Sequence, residues 1–302
     1  MKIIQYRKFF YMFSGGLILA ATLAIAVFGL RPSIDFSGGE LFVVGSKQGM
    51  AQSKLSQDLK QLKIEKASIR STNLKGYKTA YSIRTKSLGN SVRKDLLQVF
   101  SKEGIKVERM SFVGPIIGAE LKKKAVVAIV LTVLAIIAFI AWAFREVSRP
   151  VSSWKYGAVA IIALIHDVLI PVAVFAVLGK FMGAEIDTLF IMALLAILGY
   201  SVNDTIVIFD RVRERLKRNK DKKRKESFDE TVGHALDSTI VRSINTSVTT
   251  AVVLVALYIL GAQSTHYFAL TLLAGVIAGT YSSIFLAAPL LVDIAKFSAR
   301  QK

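Results

Sequence analysis

Apolar residues dominate six stretches of this chain, and each stretch is long enough to cross a membrane. In chain order they are Tyr11–Leu30, Ala125–Phe144, Tyr156–Leu178, Ile186–Phe209, Ile240–Leu260 and Phe268–Ile294. About 20 residues of α-helix span the roughly 30 Å hydrocarbon core of a bilayer. The pattern therefore predicts a polytopic α-helical membrane protein with six spans.

A hydrophilic insert, residues 31–121, separates the first stretch from the other five. Strand-like runs occur in it at Glu40–Gly45, Ala67–Asn73, Thr79–Thr85 and Ile105–Val113. Apolar residues at helical spacing mark a helix after the first run (Leu55, Leu59, Leu62) and another after the third (Val92, Leu96, Val99), which Gly104 ends. The order β-α-β-β-α-β predicts a ferredoxin-like domain.

The predicted fold is therefore six transmembrane helices with one ferredoxin-like βαββαβ domain inserted between the first and the second. Residues 1–30 form the N-terminus and the first helix, and residues 31–121 form the α+β domain. Residues 122–302 form a five-helix bundle with a basic loop at 211–239. The hydrophobic content of 53% agrees with this class, because it exceeds that of ordinary soluble domains.

Much of the net charge of +19 lies in short connectors between the apolar stretches. Lys and Arg in such connectors mark the cytoplasmic side of a membrane, so the charge does not indicate a nucleic-acid partner. Ten of the fifteen residues at 211–225 are basic, whereas 179–185 contain only Lys180 and 261–267 contain none. We expect cytoplasmic termini, an extracytoplasmic insert, and contact of the basic run with anionic lipid.

Asp204 lies inside the fourth apolar stretch. A carboxylate within a bilayer costs roughly 2.5–3.5 kcal/mol on insertion scales, so it is rare without a function. We therefore predict that Asp204 belongs to a proton pathway. Asn203 is assigned to the same pathway. Tyr200, Ser201 and Asn203 either orient this carboxylate or hold a water molecule, or they form hydrogen bonds between helices.

Arg242 enters the fifth stretch from the same side as Asp204 and at a similar shallow depth. The sequence therefore predicts an ion pair between them when Asp204 is ionised, which protonation would release. Two alternatives remain open: a static pair that fixes helix register, or an Arg242 side chain that extends to the membrane surface.

His166 and Asp167 lie together in the middle of the third stretch, one turn before Pro171. Histidine relays protons near neutral pH, and ionisable residues at this depth are rare. We assign both residues to the proton relay or its water path, with interior packing as the alternative.

Small and hydroxyl-bearing residues recur in the last two stretches. The fifth contains Thr246, Thr249 and Thr250, and the sixth contains Gly275 and Gly279 in a GxxxG spacing. Such residues allow helices to approach closely and to hydrogen-bond across the contact. We interpret them as packing positions, with a part in the proton relay as the alternative.

Five motifs occur in order on the predicted elements. They are Asp35-Phe36-Ser37-Gly38-Gly39 after the first stretch, Gly114–Gly118 before the second, Gly199–Glu214 in the fourth, Ser247–Thr250 in the fifth and Gly279–Ser283 in the sixth. Together they resemble the SecF family, the smaller subunits of the SecD/SecF protein-export complex. Asp35, Gly38 and Gly39 are the part of this resemblance at the entry to the inserted domain.

The resemblance implies a member of the resistance-nodulation-division superfamily in a bacterial cytoplasmic (inner) membrane. Its expected partners are a SecD-type subunit, the Sec translocon channel and the translocating polypeptide, and the pair is expected to use the proton gradient in late steps of export. It also implies that an aspartate and an arginine at the positions of Asp204 and Arg242 belong to the proton pathway. No cofactor is expected, and the coupling ion is a proton or sodium.

Two other function classes are compatible with parts of the pattern. An intramembrane aspartyl protease would use Asp167 and Asp204 as a dyad, although the Gly-x-Gly-Asp setting that such enzymes resemble is missing. A small-molecule exporter of the same superfamily would normally have twelve spans and two inserts. The sequence contains no cysteine, so neither a disulfide nor a thiolate metal site is expected.

Overall fold

The computed structural model describes residues 2–64, 67–72, 74–145, 152–223, 226–262 and 265–300. These residues form two compact units, one of mainly helical segments (Met1–Leu30, Val127–Ala184 and Leu189–Lys302) and one built around the insert (Arg31–Val126 and Glu185–Thr188). The insert unit therefore reaches beyond the predicted 31–121. It also includes three residues that precede the fourth spanning helix and Thr188, the first residue of that helix.

The elements follow the predicted order. The helices are α1 (Lys2–Gln5), α2 (Arg7–Phe28), α3 (Ile34–Ser37), α4 (Gln52–Gln61), α5 (Asn90–Lys102), α6 (Pro115–Ala143), α7 (Ser153–Phe181), α8 (Thr188–Asp221), α9 (Phe228–Leu260), α10 (His266–Ser282) and α11 (Ala288–Arg300), with a π-helix, Ser283–Ala287, between the last two. The strands are β1 (Gly39–Ser46), β2 (Ser68–Thr72), β3 (Thr79–Thr85) and β4 (Ile105–Val113).

Six helical segments of the described chain are long and apolar enough to cross a membrane, which confirms the predicted class. They extend beyond the apolar runs because their polar ends continue the helix. Pro115, for example, opens α6 at the first helical position, where the missing N–H has no intrahelical partner to lose.

The basic loop predicted at 211–239 needs correction. Residues 211–221 are the last turns of α8, and residues 228–239 are the first turns of α9. Lys, Arg and Glu are good helix formers, so a strongly charged run continues a helix readily. Ser227 and Glu230 then form a capping box that begins α9. Arg224 and Lys225, which belong to the predicted loop, lie outside the described residues, as do Asn73 of the second predicted strand and both ends of the chain, Met1 and 301–302.

The insert folds as one antiparallel sheet in the order β2-β3-β1-β4. Phe42 and Val44 of β1 and Ile83 of β3 point to one face and pack with Leu96 and Phe100 of α5 and with α4. A bulge between Val43 and Val44 shifts the pairing with β4. Both the element order and the helix-covered face agree with the predicted βαββαβ arrangement.

The backbone conformation explains why the first motif has glycine at positions 38 and 39. Both have positive φ angles, +68° and +123°. A Cβ at Gly39 would lie 2.3 Å from the Thr85 carbonyl oxygen, and one at Gly38 would lie 2.8 Å from Cα of Pro115. Glycine is therefore required where the chain enters β1 beside the start of α6.

Aromatic rings fill the end of the helical core at which α6 ends. Phe144 stacks on Tyr156 with ring centroids 5.2 Å apart, and Phe209 meets both rings edge-on. All three side chains are buried. They join the end of α6 to α7 and α8.

Glu226 connects the charged ends of α8 and α9. Its carboxylate accepts hydrogen bonds from Arg215 Nη2 at 2.7 Å and from Asn219, and it lies 3.4 Å from Thr231 Oγ1 and from His234 Nε2. The hydrogen bond from Arg215 is the main reason that the pKa of Glu226 falls to about 2.

We expect this cluster to make the stability of the helix ends depend on pH. The pKa of Glu226 is lower in the folded chain than the value of about 4.3 typical of an unfolded one. Its stabilising contribution is therefore complete above about pH 4.3 and is lost as the pH falls toward 2. Thermal unfolding in detergent across this range should show a weaker pH dependence for Glu226→Gln than for the wild type. Asp221→Asn, which removes an exposed carboxylate at the end of α8, should behave as the wild type; equal slopes for all three proteins would contradict the assignment.

Gly275 and Gly279 pack α10 against α8, as their spacing predicts. A Cβ at Gly275 would lie 2.3 Å from Ile197 Cδ1, and one at Gly279 would lie 3.1 Å from Ser201 Cβ. The two helices therefore approach more closely than larger side chains would permit.

Gly275→Ala should destabilise the protein by about 1–3 kcal/mol, because the new methyl group forces Ile197 out of its position. Gly199→Ala is the matched control, since a Cβ there meets nothing within 4 Å and alanine favours a helix. Thermal unfolding of both variants in detergent measures the difference. Equal stability of the two variants would show that the close approach is not required.

Candidate carboxylate site in the membrane helices

Two aspartates on neighbouring helices form the centre of the candidate site. Asp167 lies on α7 and Asp204 lies on α8. His166 and Asp167 are both 0% exposed, while Asp204 is partly exposed. The structure thus places all three predicted ionisable residues inside the helical unit.

Asp167 has hydrogen-bond partners on both carboxylate oxygens. Oδ1 lies 2.9 Å from Nδ1 of His166. Oδ2 accepts from the hydroxyl of Ser282 at 2.7 Å and from that of Ser201. A buried carboxylate is costly unless it is paired or hydrogen-bonded, so these contacts account for its presence in the core.

The second ring nitrogen of His166 is a buried polar atom that lacks a hydrogen-bond partner in the described part of the chain. Nε2 has no hydrogen-bond partner among the residues that the structure describes. The ring lies against Tyr281, with centroids 5.8 Å apart. Nδ1 is oriented by Asp167, so Nε2 is the ring nitrogen that remains available to a further hydrogen-bond partner.

Asp204 is held by two serines from two other elements. Ser243 of α9 donates to Oδ1, and Ser283 of the π-helix donates to Oδ2. Ser283 entered the prediction only as the last residue of the Gly279–Ser283 motif, and Ser243 was not predicted. The signal that would have found Ser283 is the run of hydroxyl residues directly after Gly279.

Ser282 and Ser283 are neighbours in the chain, yet they bind different aspartates. Ser282 donates to Asp167 and Ser283 donates to Asp204. They stand where α10 ends and the π-helix begins. Short π-helical turns occur frequently at functional sites, and here the wide turn presents consecutive hydroxyls to two helices.

A second group of hydroxyls lies beside this pair. Tyr200 and Ser247 are joined by a 3.1 Å hydrogen bond, and Ser247 is also bonded to Thr280. Tyr200 and Ser201 therefore do form hydrogen bonds between helices, as one of their two interpretations predicted.

The predicted ion pair between Asp204 and Arg242 is not formed in this structure. Arg242 is exposed, and the next residue, Ser243, occupies the face of α9 that contacts Asp204. Successive residues of an α-helix point about 100° apart, so Arg242 and Ser243 cannot occupy that face together.

Several other predicted residues lie outside the carboxylate site. Asn203 is exposed on α8. The hydroxyls of Thr246, Thr249 and Thr250 donate to carbonyls of their own helix, at 2.9–3.0 Å. Thr246 and Thr249 are exposed, whereas Thr250, seven residues after Ser243, lies on the same face of α9 as Ser243 and is partly buried.

The arrangement differs from that of an aspartyl protease. Such a dyad shares one proton between two adjacent carboxylates. Within the described residues, no hydrogen bond joins Asp167 to Asp204, and each has its own serine donors.

Comparison with known proteins agrees with the motifs and the fold. The family model described as "Protein export membrane protein SecD/SecF, C-terminal" matches residues 92–297. A protein named protein translocase subunit SecF from Thermobaculum terrenum is 40% identical and covers 96% of this chain and 93% of its own length. The chain belongs to the SecF family.

Other SecF proteins show the same breadth of similarity. Those of Anaerolinea thermophila and Haemophilus influenzae are 36% and 34% identical and cover 97% and 96% of this chain. These relatives are named as subunits of a protein translocase, so the SecF family places this chain in protein export as a transport subunit.

The SecF fold is also found in a solved structure. The crystal structure of SecDF from Thermus thermophilus, described as a translocon-associated membrane protein, matches 97% of this chain at 28% identity with a TM-score of 0.83. A second structure, of SecDF in a super-membrane-facing form, matches 99% with a TM-score of 0.66. The match covers 38% and 39% of those chains. This SecF-family chain thus corresponds to a little over one third of a SecDF chain.

The different exposure of the two aspartates leads to a labelling prediction. A lipid-soluble carbodiimide reacts with protonated carboxyl groups that it can reach. We expect it to modify Asp204, which is partly exposed, and to spare Asp167, which is fully buried. Mass spectrometry of the labelled protein in membranes identifies the modified peptide, with Asp204→Asn as the control. Preferential labelling of Asp167 would contradict the described burial.

Proposed function

We propose that this SecF-family chain works with a SecD-type partner and uses the proton gradient to promote late steps of protein export. The observation that carries the proposal is the pair of aspartates in the membrane helices. They accept hydrogen bonds from two serines that are neighbours in the chain, Ser282 and Ser283. The membrane is the bacterial cytoplasmic membrane, with the basic ends of α8 and α9 on the cytoplasmic side and the insert outside. A proton is the proposed coupling ion, with sodium as the alternative that the carboxylates also permit.

Protonation would change which hydrogen bonds these carboxylates make. An ionised aspartate only accepts, whereas a protonated one also donates. Ser282 and Ser283 each have a second acceptor within their own helix, the carbonyls of Gly279 at 3.2 Å and of Thr280 at 3.1 Å. A serine can therefore accept from a protonated aspartate while it donates to the backbone, which alters the contact between helices.

The position of the π-helix supports a change in helix packing when the aspartates take up protons. Its hydrogen-bond register differs from that of the flanking α-helices, and such turns mark hinges and functional sites. We propose that proton uptake at Asp204 and Asp167 changes the packing of α10 and the π-helix against α7 and α8. His166 supplies the exchange with water through Nε2.

Arg242 takes part in a different step of this cycle. A turn of α9 by about 100° would bring Arg242 to the place that Ser243 now occupies beside Asp204. We propose that the ion pair forms in that state, when Asp204 is ionised, and that Asn203 lies at the open side of the pathway. The Asp204 carboxylate would then have two alternative partners on α9, the Ser243 hydroxyl in one state and the Arg242 guanidinium in the other.

The exposed helices support a partner in the membrane. Few residues of α6 and α9 are buried, whereas α7, α8 and the last helical span are extensively buried. Six spans are also half of the pseudo-symmetric bundle usual for transporters built from repeats. A SecD-type subunit would supply the other half, and the Sec channel and the exported polypeptide would be the further partners.

The rate of protein export tests the role of Asp204. Asp204→Asn should slow export of a secreted protein to the rate of a deletion strain, because the amide cannot take up and release a proton. The measurement is pulse-chase export at equal membrane abundance, with and without an ionophore that collapses the proton gradient. Asp221→Asn, at the exposed end of the same helix, should export as the wild type.

Unchanged export by Asp204→Asn would rule out ion coupling through this helix. Sensitivity to removal of sodium, but not to the proton ionophore, would assign sodium as the coupling ion.

A further inference from the structure

The connector between α7 and α8 is attached to the inserted domain. Residues Glu185–Thr188, here called the strap, belong to the same compact unit as residues 31–126. The strap follows β3 in the sequence by about a hundred residues, and its last residue is the first residue of α8, the helix that carries Ser201 and Asp204. Its attachment involves side chains and backbone at three successive points.

The first attachment is an ion cluster on the sheet. The Glu185 carboxylate lies 3.3 Å from Arg84 of β3 and 3.6 Å from Arg70 of β2. All three side chains are between 22% and 31% exposed, so the cluster is partly shielded from solvent. Because the Glu185 carboxylate lies between two arginines on neighbouring strands, it fixes the position of the strap on the sheet.

The second attachment uses the backbone. Ile186 N donates to the Arg31 carbonyl at 2.7 Å, and Ser33 N donates to the Ile186 carbonyl at 2.7 Å. Ile186 thus forms a parallel bridge with Pro32. These bonds hold the strap to the segment that leads into the insert.

The third attachment fixes the start of α8. Thr188 is the first residue of that helix, and its backbone N and its Oγ1 both donate to Asp35 Oδ2 at 3.0 Å. The first N–H groups of a helix have no intrahelical acceptor, and a carboxylate there also interacts favourably with the helix dipole. Asp35, the first residue of the Asp35–Gly39 motif, is therefore a cap supplied by the insert to a membrane helix.

The strap and the carboxylate site are joined by one continuous helix. α8 runs without a break from Thr188 to Asp221. Asp204 follows Thr188 by about 24 Å along the helix axis at 1.5 Å per residue. A displacement of α8 at Asp204 must therefore reach Thr188 and the residues that bind it.

We propose that the strap transmits movement of α8 to the inserted domain, with Asp35, Glu185 and Arg84 as the positioning residues. This inference rests on the proposed function of Asp204. In this role the strap stays bound to the insert throughout the cycle, so proton binding in the membrane changes the position of the inserted domain.

Breaking the strap contacts should uncouple export from the gradient. The double variant Asp35→Ala, Glu185→Ala should export at the rate of Asp204→Asn in pulse-chase at equal membrane abundance. Asp35→Asn keeps an acceptor for Thr188 and should restore most of the loss caused by Asp35→Ala. Glu103→Ala, which removes an ion pair with Lys54 elsewhere in the insert, should export as the wild type.

A disulfide provides a covalent rescue. The sequence contains no cysteine, so Pro32→Cys and Ile186→Cys introduce the only thiols of the chain. Bridge partners in a sheet lie about 5 Å apart at Cα, within the range for a disulfide. Under oxidising conditions this pair should restore export to the Asp35→Ala, Glu185→Ala variant, and a reductant should abolish the rescue.

The outcomes distinguish the inference from the proposed function. Failure of the formed disulfide to restore export, or inhibition of otherwise wild-type protein by the same disulfide, would overturn the strap. Wild-type export by the strap variants, with slow export by Asp204→Asn, would overturn the strap and leave the proposed function standing. Wild-type export by Asp204→Asn would overturn both.

Discussion

Hydrogen bonds from serine hydroxyls to Asp167 and Asp204 are the interaction on which the helical unit depends. Among the described residues, no arginine or lysine is bonded to Asp167 or Asp204. Serine hydroxyls, together with His166 at Asp167, supply the contacts that such a cation would otherwise make. Because Ser282 and Ser283 are adjacent, one short segment fixes the relative positions of α7 and α8. A hydroxyl both donates and accepts, so the same contacts persist with altered direction when an aspartate gains a proton.

Close packing is the condition for these hydrogen bonds. Gly279 allows Cβ of Ser201 to approach α10, and Gly275 does the same for Ile197 one turn away. Larger side chains at these positions would separate α8 from α10 and would lengthen the contacts to Ser282 and Ser283. The GxxxG spacing and the carboxylates are thus parts of one arrangement, since the glycines set the distance at which the serines reach their acceptors.

The inserted domain uses one set of residues to form its core and another to contact the segment that begins α8. Its sheet and its core of Phe42, Leu59, Ile83 and Phe100 are formed by local segments. Its connection to α8 is formed by Asp35 and by the strap, which are far apart in sequence. Folding of the domain and its connection to the first residue of α8 therefore rest on separate sets of residues.

The sequence by itself determined the six spans, the order of the strands, and the ionisable residues worth attention. Hydrophobic length and strand pattern are local properties, and His166, Asp167 and Asp204 stand out because charged groups in a membrane are costly. The charged residues at 211–221 were predicted as a loop because they are hydrophilic, yet they form the end of α8. Lys, Arg and Glu favour a helix even where they are exposed to solvent. Only the tertiary structure decided that Ser243 faces Asp204 while Arg242 points away, that Ser282 and Ser283 bind different aspartates, and that Asp35 caps α8. Hydroxyl residues are common in membrane helices and the strap contacts lie far apart in sequence, so these pairings arise only when the helices pack.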